Sequence, residues 1–181
     1  MNNKLNKTIK IMMFIGLGIM AKYIYTFSFS LGEMSEISIN LVALPSIIAS
    51  ILLGPFYGAL IGGTIDVTAH FLHPMGSFLP QITLVTIIRG FLPGFLLKYF
   101  KLKNKMLLKL FFAIGITLIL CQVFFMSFIS YQVFNNDFIE TILWRLLIQA
   151  FEIPVFVCIS YIIIKYVKTR EELVEREEQF H

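Results

Sequence analysis

Charge is the scarcest commodity in this sequence. Of 181 residues, 14% are Asp, Glu, Lys or Arg and 57% are hydrophobic, whereas roughly a quarter of a soluble chain is charged. That balance excludes a water-soluble domain, which could not hide so much apolar surface. Cysteine is nearly absent as well: Cys121 and Cys158 both lie inside apolar runs, where a thiol behaves as a small hydrophobe, and their isolation gives neither a metal-ligand spacing nor a redox role. There is no G-x-x-x-x-G-K-[ST] loop to cradle phosphates, so nucleotide hydrolysis is excluded for this chain. A nucleophile elbow and a His-x-x-x-His helix are missing too; His70 and His73 stand three apart with no third ligand in view. No cofactor, metal or nucleic-acid partner is expected.

What the sequence does have is long apolar runs, several of which reach or approach the ~20 residues that cross ~30 Å of hydrocarbon. They predict an all-α membrane protein, a compact bundle of six transmembrane helices, with spans at 10–30, 38–53, 55–73, 80–98, 107–131 and 138–166. The second is short enough to be tilted or partly re-entrant. Gly54-Pro55 separates the second and third so tightly that they must form a hairpin. The first run follows Lys4, Lys7 and Lys10 as a signal peptide would, but it is long and no Ala-x-Ala ends it, so it reads as a retained helix. Basic residues mark the cytoplasmic side: the three N-terminal lysines, then Lys98, Lys101, Lys103, Lys105 and Lys109, then Lys165, Lys168, Arg170 and Arg176 fall together, while connections 31–37, 74–80 and 131–138 carry no Lys or Arg. Both termini are therefore expected in the cytoplasm of a multi-pass plasma-membrane protein. Residues 1–170 make one transmembrane domain and residues 171–181 an acidic tail that continues the last helix into water. No internal repeat is visible, which counts against an autonomous pump.

Lys22, Asp66, Arg89, Arg145 and Glu152 remain inside the spans, and each would cost several kcal/mol facing lipid, so they must face inward. Asp66 and His70 are four apart on one helix face; Arg145, Gln149 and Glu152 follow the helical stagger on the last span. Arg145 enters about two turns below the outer end of its helix, so the stripe suits a cavity opening outward. The same groups would equally serve to neutralise one another. Three cations against two anions favour an anionic ligand. Thr83, Thr86 and Arg89 trace a further polar edge on the fourth span, where Arg89 suits either a ligand or a structural role. Gly54, Gly58 and Gly62 recur every four residues and read as a flat face for helix packing, as do Gly90 and Gly94. The segment His73-Pro74-Met75-Gly76-Ser77-Phe78-Leu79-Pro80 suits a lid or a plain turn; the connection bearing Gly32, Glu33, Ser35 and Glu36 is the other candidate gate.

The middle of the chain carries Leu44-Pro45-Ser46-Ile47-Ile48-Ala49, then Leu53-Gly54-Pro55-Phe56-Tyr57-Gly58-Ala59-Leu60-Ile61-Gly62-Gly63 with Asp66, then Pro74-x-Gly76-x-Phe78, Thr83-Leu84 and Gly90-x-x-x-Gly94. These strings resemble the substrate-binding S components of energy-coupling factor vitamin transporters, and the folate-specific members in particular, which also show an Arg nine residues before a Pro on the last helix, as Arg145 and Pro154 stand here. The resemblance implies a subunit that binds one vitamin in its outward half and works with one transmembrane scaffold subunit and two cytoplasmic ATPases, which fits the missing ATP motif. It also implies a docking face on the first helix, where Leu17 and Ala21, with Gly16 and Gly18 beside them, are the candidates.

The expected substrate is folate, with pantothenate second. Arg145 and Lys22 are the expected carboxylate partners, with Arg89 a further cation; Asp66 and Gln149 supply hydrogen bonds, with His70 and Glu152 beside them, and Phe78 and Trp144 cover the flat part of the ligand. Two other classes fit the residues less well: an intramembrane enzyme using Asp66 with His70 or Glu152 as acid and base, and an ion-coupled carrier using the charges as a proton relay.

Overall fold

A computed structural model describes residues 2–30, 41–72, 78–99, 106–134 and 137–179. The described residues are helical apart from short turns, as the composition requires, because a chain in lipid must satisfy its backbone internally. The helices are α1 (Asn2–Ser30), α2 (Ala43–Leu53), α3 (Pro55–Leu72), α4 (Pro80–Tyr99), α5 (Met106–Leu118), α6 (Met126–Phe134) and α7 (Phe138–Gln179). A π-helical stretch, Ile119–Phe125, joins α5 to α6 without a break, so the described residues form six helical segments. Among the described residues, three of these are long and apolar enough to cross a membrane: Pro80–Tyr99, Met106–Val133 and Phe138–Val167. Large apolar side chains such as Phe56, Phe71, Phe124, Leu147 and Phe151 stay exposed, which suits lipid and not water.

One boundary stands out against expectation. The second helix begins at Ala43 instead of residue 38, and its 11 residues make about 16 Å, half of a bilayer core. The acidic tail does continue the last helix, whose backbone runs to Gln179. The candidate gate bearing Gly32, Glu33, Ser35 and Glu36 lies outside the described residues, and so do residues 73–77 of the other, of which only Phe78, Leu79 and Pro80 are described.

Local chemistry sets the remaining helix ends. Pro55 and Pro80 open α3 and α4, the first-turn position where the missing N–H costs nothing. Gly54 closes α2 at φ 110°, ψ 162°, a conformation open essentially to glycine alone; its N–H donates to Ser50 O at 3.1 Å and its carbonyl accepts from Tyr57 and Gly58. A Cβ on Gly54 would meet nothing within 4 Å, so this glycine serves the turn and is no part of the packing face. Gly54→Ala is accordingly expected to cost about 1–3 kcal/mol through backbone strain alone, read as a lowered melting temperature of the purified protein with ligand binding retained.

Gly58 and Gly62 do pack. A Cβ on Gly58 would sit 2.2 Å from Gly90 O, and one on Gly62 would sit 2.7 Å from Thr86 O. The α3 and α4 backbones therefore touch directly, as small residues allow in membranes. Ser50 of α2 completes the trio: its Oγ accepts from the Gly94 N–H at 3.0 Å, one residue after Pro93, which interrupts the α4 ladder. On the other side, Ile47 and Ile48 of α2, Leu110, Ile114 and Leu118 of α5, and Ile153, Phe156, Val157 and Ile164 of α7 form an apolar core.

Candidate functional site

Above that apolar core the buried side chains turn polar. Along α7, the buried run Ile153, Phe156 and Val157 gives way toward the N-terminal end of the helix to Glu152 and Gln149. On α4 the change comes at Arg89 and Thr86, on the π-helical stretch at Gln122, and on α2 at Ser46. Asp66 stands eleven residues along α3, about 16 Å from the Gly54 turn. The polar groups thus form one layer across several helices, and α4 and α7 scarcely pack on each other directly.

Asp66 is the best-tied member. Lys22 Nζ of α1 lies 2.7 Å from its Oδ1, and Thr83 Oγ1 of α4 donates to its Oδ2 at 2.7 Å. The carboxylate therefore links three helices. This pairing is an instance of the intramembrane charges neutralising one another, with Lys22 as the partner. Lys22 retains 29% side-chain exposure against 13% for Asp66, so the pair is only partly desolvated. Lys22→Met is expected to destabilise by about 2 kcal/mol, below the 3–5 kcal/mol of a fully buried pair, and Asp66→Asn on that background is expected to recover at least half; thermal melts in a double-mutant cycle check the coupling.

Arg89 is different. It is 4% exposed, its Nε has no hydrogen-bond partner among the described residues, and the ionisable groups that act on it are Cys121, Glu152 and Asp66. It lines a cleft of about 210 Å³ together with Val42, Ser46, Gly62, Ile65, Asp66 and Thr86. Much of that space is open solvent, and the room it encloses is about 10 Å³, enough for roughly one water, so a vitamin-sized solute needs the walls to part. The Lys22–Asp66 bridge is the tie that holds α1 against that wall.

On α7, Gln149 Nε2 donates to Glu152 Oε2, and both residues are buried. Arg145, about one turn nearer the start of α7, donates from Nη1 to the Gln122 carbonyl at 3.3 Å, which lies on the π-helical stretch, a feature often found at functional sites. His70, near the C-terminal end of α3, and Phe78 lie together, ring centroids 5.1 Å apart. Trp144 is 47% exposed and is not among the residues that line the cleft. The structure thus brings Lys22, Asp66 and Arg89 together and ties Gln149 to Glu152, whose charge acts on Arg89, whereas His70, Phe78, Trp144, Arg145, Gln149 and Glu152 are not among the residues that line the cleft. Ser46 and Gln122 are the members that the scan for ionisable groups missed; a scan for any polar residue inside an apolar run finds Gln122 at once. Among the described residues no group of three or more His, Cys, Asp or Glu could hold a metal.

Compared with known proteins, the chain matches one family model, described as ECF transporter, substrate-specific component, over residues 6–167. The comparisons with curated proteins and with solved structures give no match.

Proposed function

Since the chain belongs to the substrate-specific components of ECF transporters, it is a membrane-embedded, substrate-binding transporter subunit that leaves ATP hydrolysis to separate partners, and we propose that its substrate is folate. The observation that carries a solute with a hydrogen-bond acceptor is Arg89: a buried guanidinium with an unpartnered Nε, lining a cleft in the polar layer. A buried cation without full compensation is expensive and functional by default in a membrane, and an incoming anion or acceptor repays that cost. Arg145 lies about one helical turn further out than Gln149, where a glutamate carboxylate at the ligand's outer end would reach it. Lys22 would join it once the Asp66 bridge loosens. Asp66, Gln149 and Glu152 complete the polar wall, and His70 with Phe78, and Trp144 from the periphery, cover the aromatic portion of the ligand.

The proposal extends to the assembly. The chain forms six spans with both termini in the cytoplasm of a prokaryotic plasma membrane, and it docks one scaffold subunit carrying two ATPases. Leu17, Met13 and Met20 on the exposed side of α1 offer an apolar face for that scaffold, while Gly18 lies buried on the opposite side against Ile65.

A thermal-shift screen of the purified chain over water-soluble vitamins tests the substrate, because a ligand stabilises the state that it binds. At a concentration about 100 times its Kd, folate is expected to add about 2.7 kcal/mol. Stabilisation by pantothenate alone would move the assignment to the second choice, and stabilisation by neither would remove both.

A further inference from the structure

Four buried polar atoms lack a partner among the described residues: Arg89 Nε, Gln149 Oε1, Ser127 Oγ and Ser160 Oγ. The two hydroxyls sit on helices, where a rotated O–H reaches the carbonyl a turn back, so they raise no difficulty. Arg89 and Gln149 have no such remedy. Each is 4% exposed, and the cost of leaving such a group unpaired is the full desolvation of the donor or acceptor.

The two orphans border the same carboxylate. The Gln149 amide donates to Glu152, and Glu152 is one of the charges acting on Arg89. That donation also fixes the amide: a carboxylate only accepts, so the NH2 must face Glu152 and the carbonyl oxygen must face away. A donor on α4, the Nε–H of Arg89, and an acceptor on α7, Oε1 of Gln149, are therefore both left unsatisfied around Glu152. A second carboxylate would satisfy Arg89 and repel the Gln149 oxygen. A group with a C=O beside an N–H on one edge satisfies both.

Building on the substrate-binding reading of this layer, we infer that Arg89 and Gln149 read a cis-lactam edge, the adjacent C=O and N–H of an oxo-heterocycle, at the inner end of the site. The oxo group accepts from Arg89 Nε and the ring N–H donates to Gln149 Oε1. The heterocycle thus goes in first and any acidic tail points outward, toward Arg145. Arg89 is then a reader of a neutral edge, and the carboxylates fall to Arg145 and Lys22.

The test uses the purified full chain in lipid nanodiscs and ligand pairs that differ at this edge. Folate carries the 4-oxo and N3–H lactam; aminopterin puts an amino group in place of that oxygen and has no hydrogen on N3, so donor and acceptor are exchanged. Folate is expected to bind at least about 100-fold more tightly, since a site built to hydrogen-bond an edge strongly rejects an analogue that lacks it. Gln149→Met is expected to shrink that ratio to within about tenfold, with the melting temperature of the unliganded variant reporting its folding; the wild-type ratio decides the matter even if this variant does not fold. Equal affinity of the two pteridines would overturn the lactam edge and leave folate standing as the substrate. Riboflavin carries the same edge on another ring system: stabilisation by riboflavin and not by folate would keep the edge and remove folate. Binding only of nicotinate, a bare carboxylate, or of pantothenate, whose open-chain amide points its C=O and N–H in opposite directions, would overturn the edge. No binding by any of the five would overturn it together with the substrate-binding reading.

Discussion

Arg89→Met is expected to cut folate affinity by about 2–5 kcal/mol, a factor of about 30 to several thousand, the range seen when one partner of a buried, charge-assisted hydrogen bond is removed. The same substitution is expected to shift the unliganded melting temperature by only a few degrees. Two opposed effects account for the split. Removing Arg89 relieves the desolvation of an orphan Nε, since apolar replacement of buried ionic groups is often neutral or stabilising. It also withdraws the positive field from Glu152 and Asp66; Glu152 keeps its Gln149 donor and Asp66 keeps Lys22 and Thr83, so that loss is small. Isothermal titration on the wild type and the variant, with a melt of each, separates binding from folding. A variant that binds as the wild type does would make Arg89 a packing residue and shift the site elsewhere.

Gly90→Val is expected to prevent the chain from folding or to destabilise it by at least about 3–5 kcal/mol. A Cβ at Gly90 would stand 2.1 Å from the Gly58 carbonyl oxygen and 2.6 Å from its carbon. Both atoms are backbone, so no rotamer can yield and the two helices must separate. Separation breaks the neighbouring contacts in turn, because Gly94 meets Ser50 O and Gly62 meets Thr86 O along the same seam. It also displaces Thr83 and Arg89, which α4 delivers to the polar layer, so binding falls with stability. Gly16→Ala is the control: it meets nothing within 4 Å and is expected to leave yield and melting temperature unchanged within about 1 kcal/mol. Size-exclusion profiles and thermal melts of the two variants, side by side, check the contrast.

The sequence made much of this fold readable, for identifiable reasons. Gly54-Pro55 announces its turn because one residue supplies a positive φ and the next opens a helix, both properties of single residues. The four-residue spacing of Gly58 and Gly62 announces a packing face by helical geometry alone, although Gly54, at the same spacing, belongs to the turn. Hydropathy locates the long segments, because apolar length is what a bilayer demands. The start of α2 was not legible: Ile39 and Leu41 are as apolar as the helix that begins at Ala43, and no cap residue marks the boundary. The π-helical stretch was not legible either, since nothing in Ile119–Phe125 breaks a helix locally.

The partners of the polar layer were the hardest part. That Lys22, Asp66, Arg89, Arg145 and Glu152 face inward follows from the cost of a charge in lipid, but which of them meet depends on the rotation and tilt of each helix. Those are set by close packing among apolar side chains that hydropathy does not distinguish from lipid-facing ones. Lys22 could have met Glu152 on charge alone; the close approach of α1 to α3, with Gly18 against Ile65, brings it to Asp66 instead. Gln122 went unnoticed because it carries no charge, yet its position on the π-helical stretch puts its carbonyl against Arg145.

Equilibrium binding of radiolabelled folate to the purified chain alone, in nanodiscs and without any ATPase partner, tests most directly whether this polar interior is a solute site. Saturable uptake of one molecule per chain, with a Kd below about 1 µM and displaced by unlabelled folate, is the expected result. Absence of saturable binding for folate, and for every other water-soluble vitamin tried in its place, would contradict the account and leave the interior charges as ties between helices.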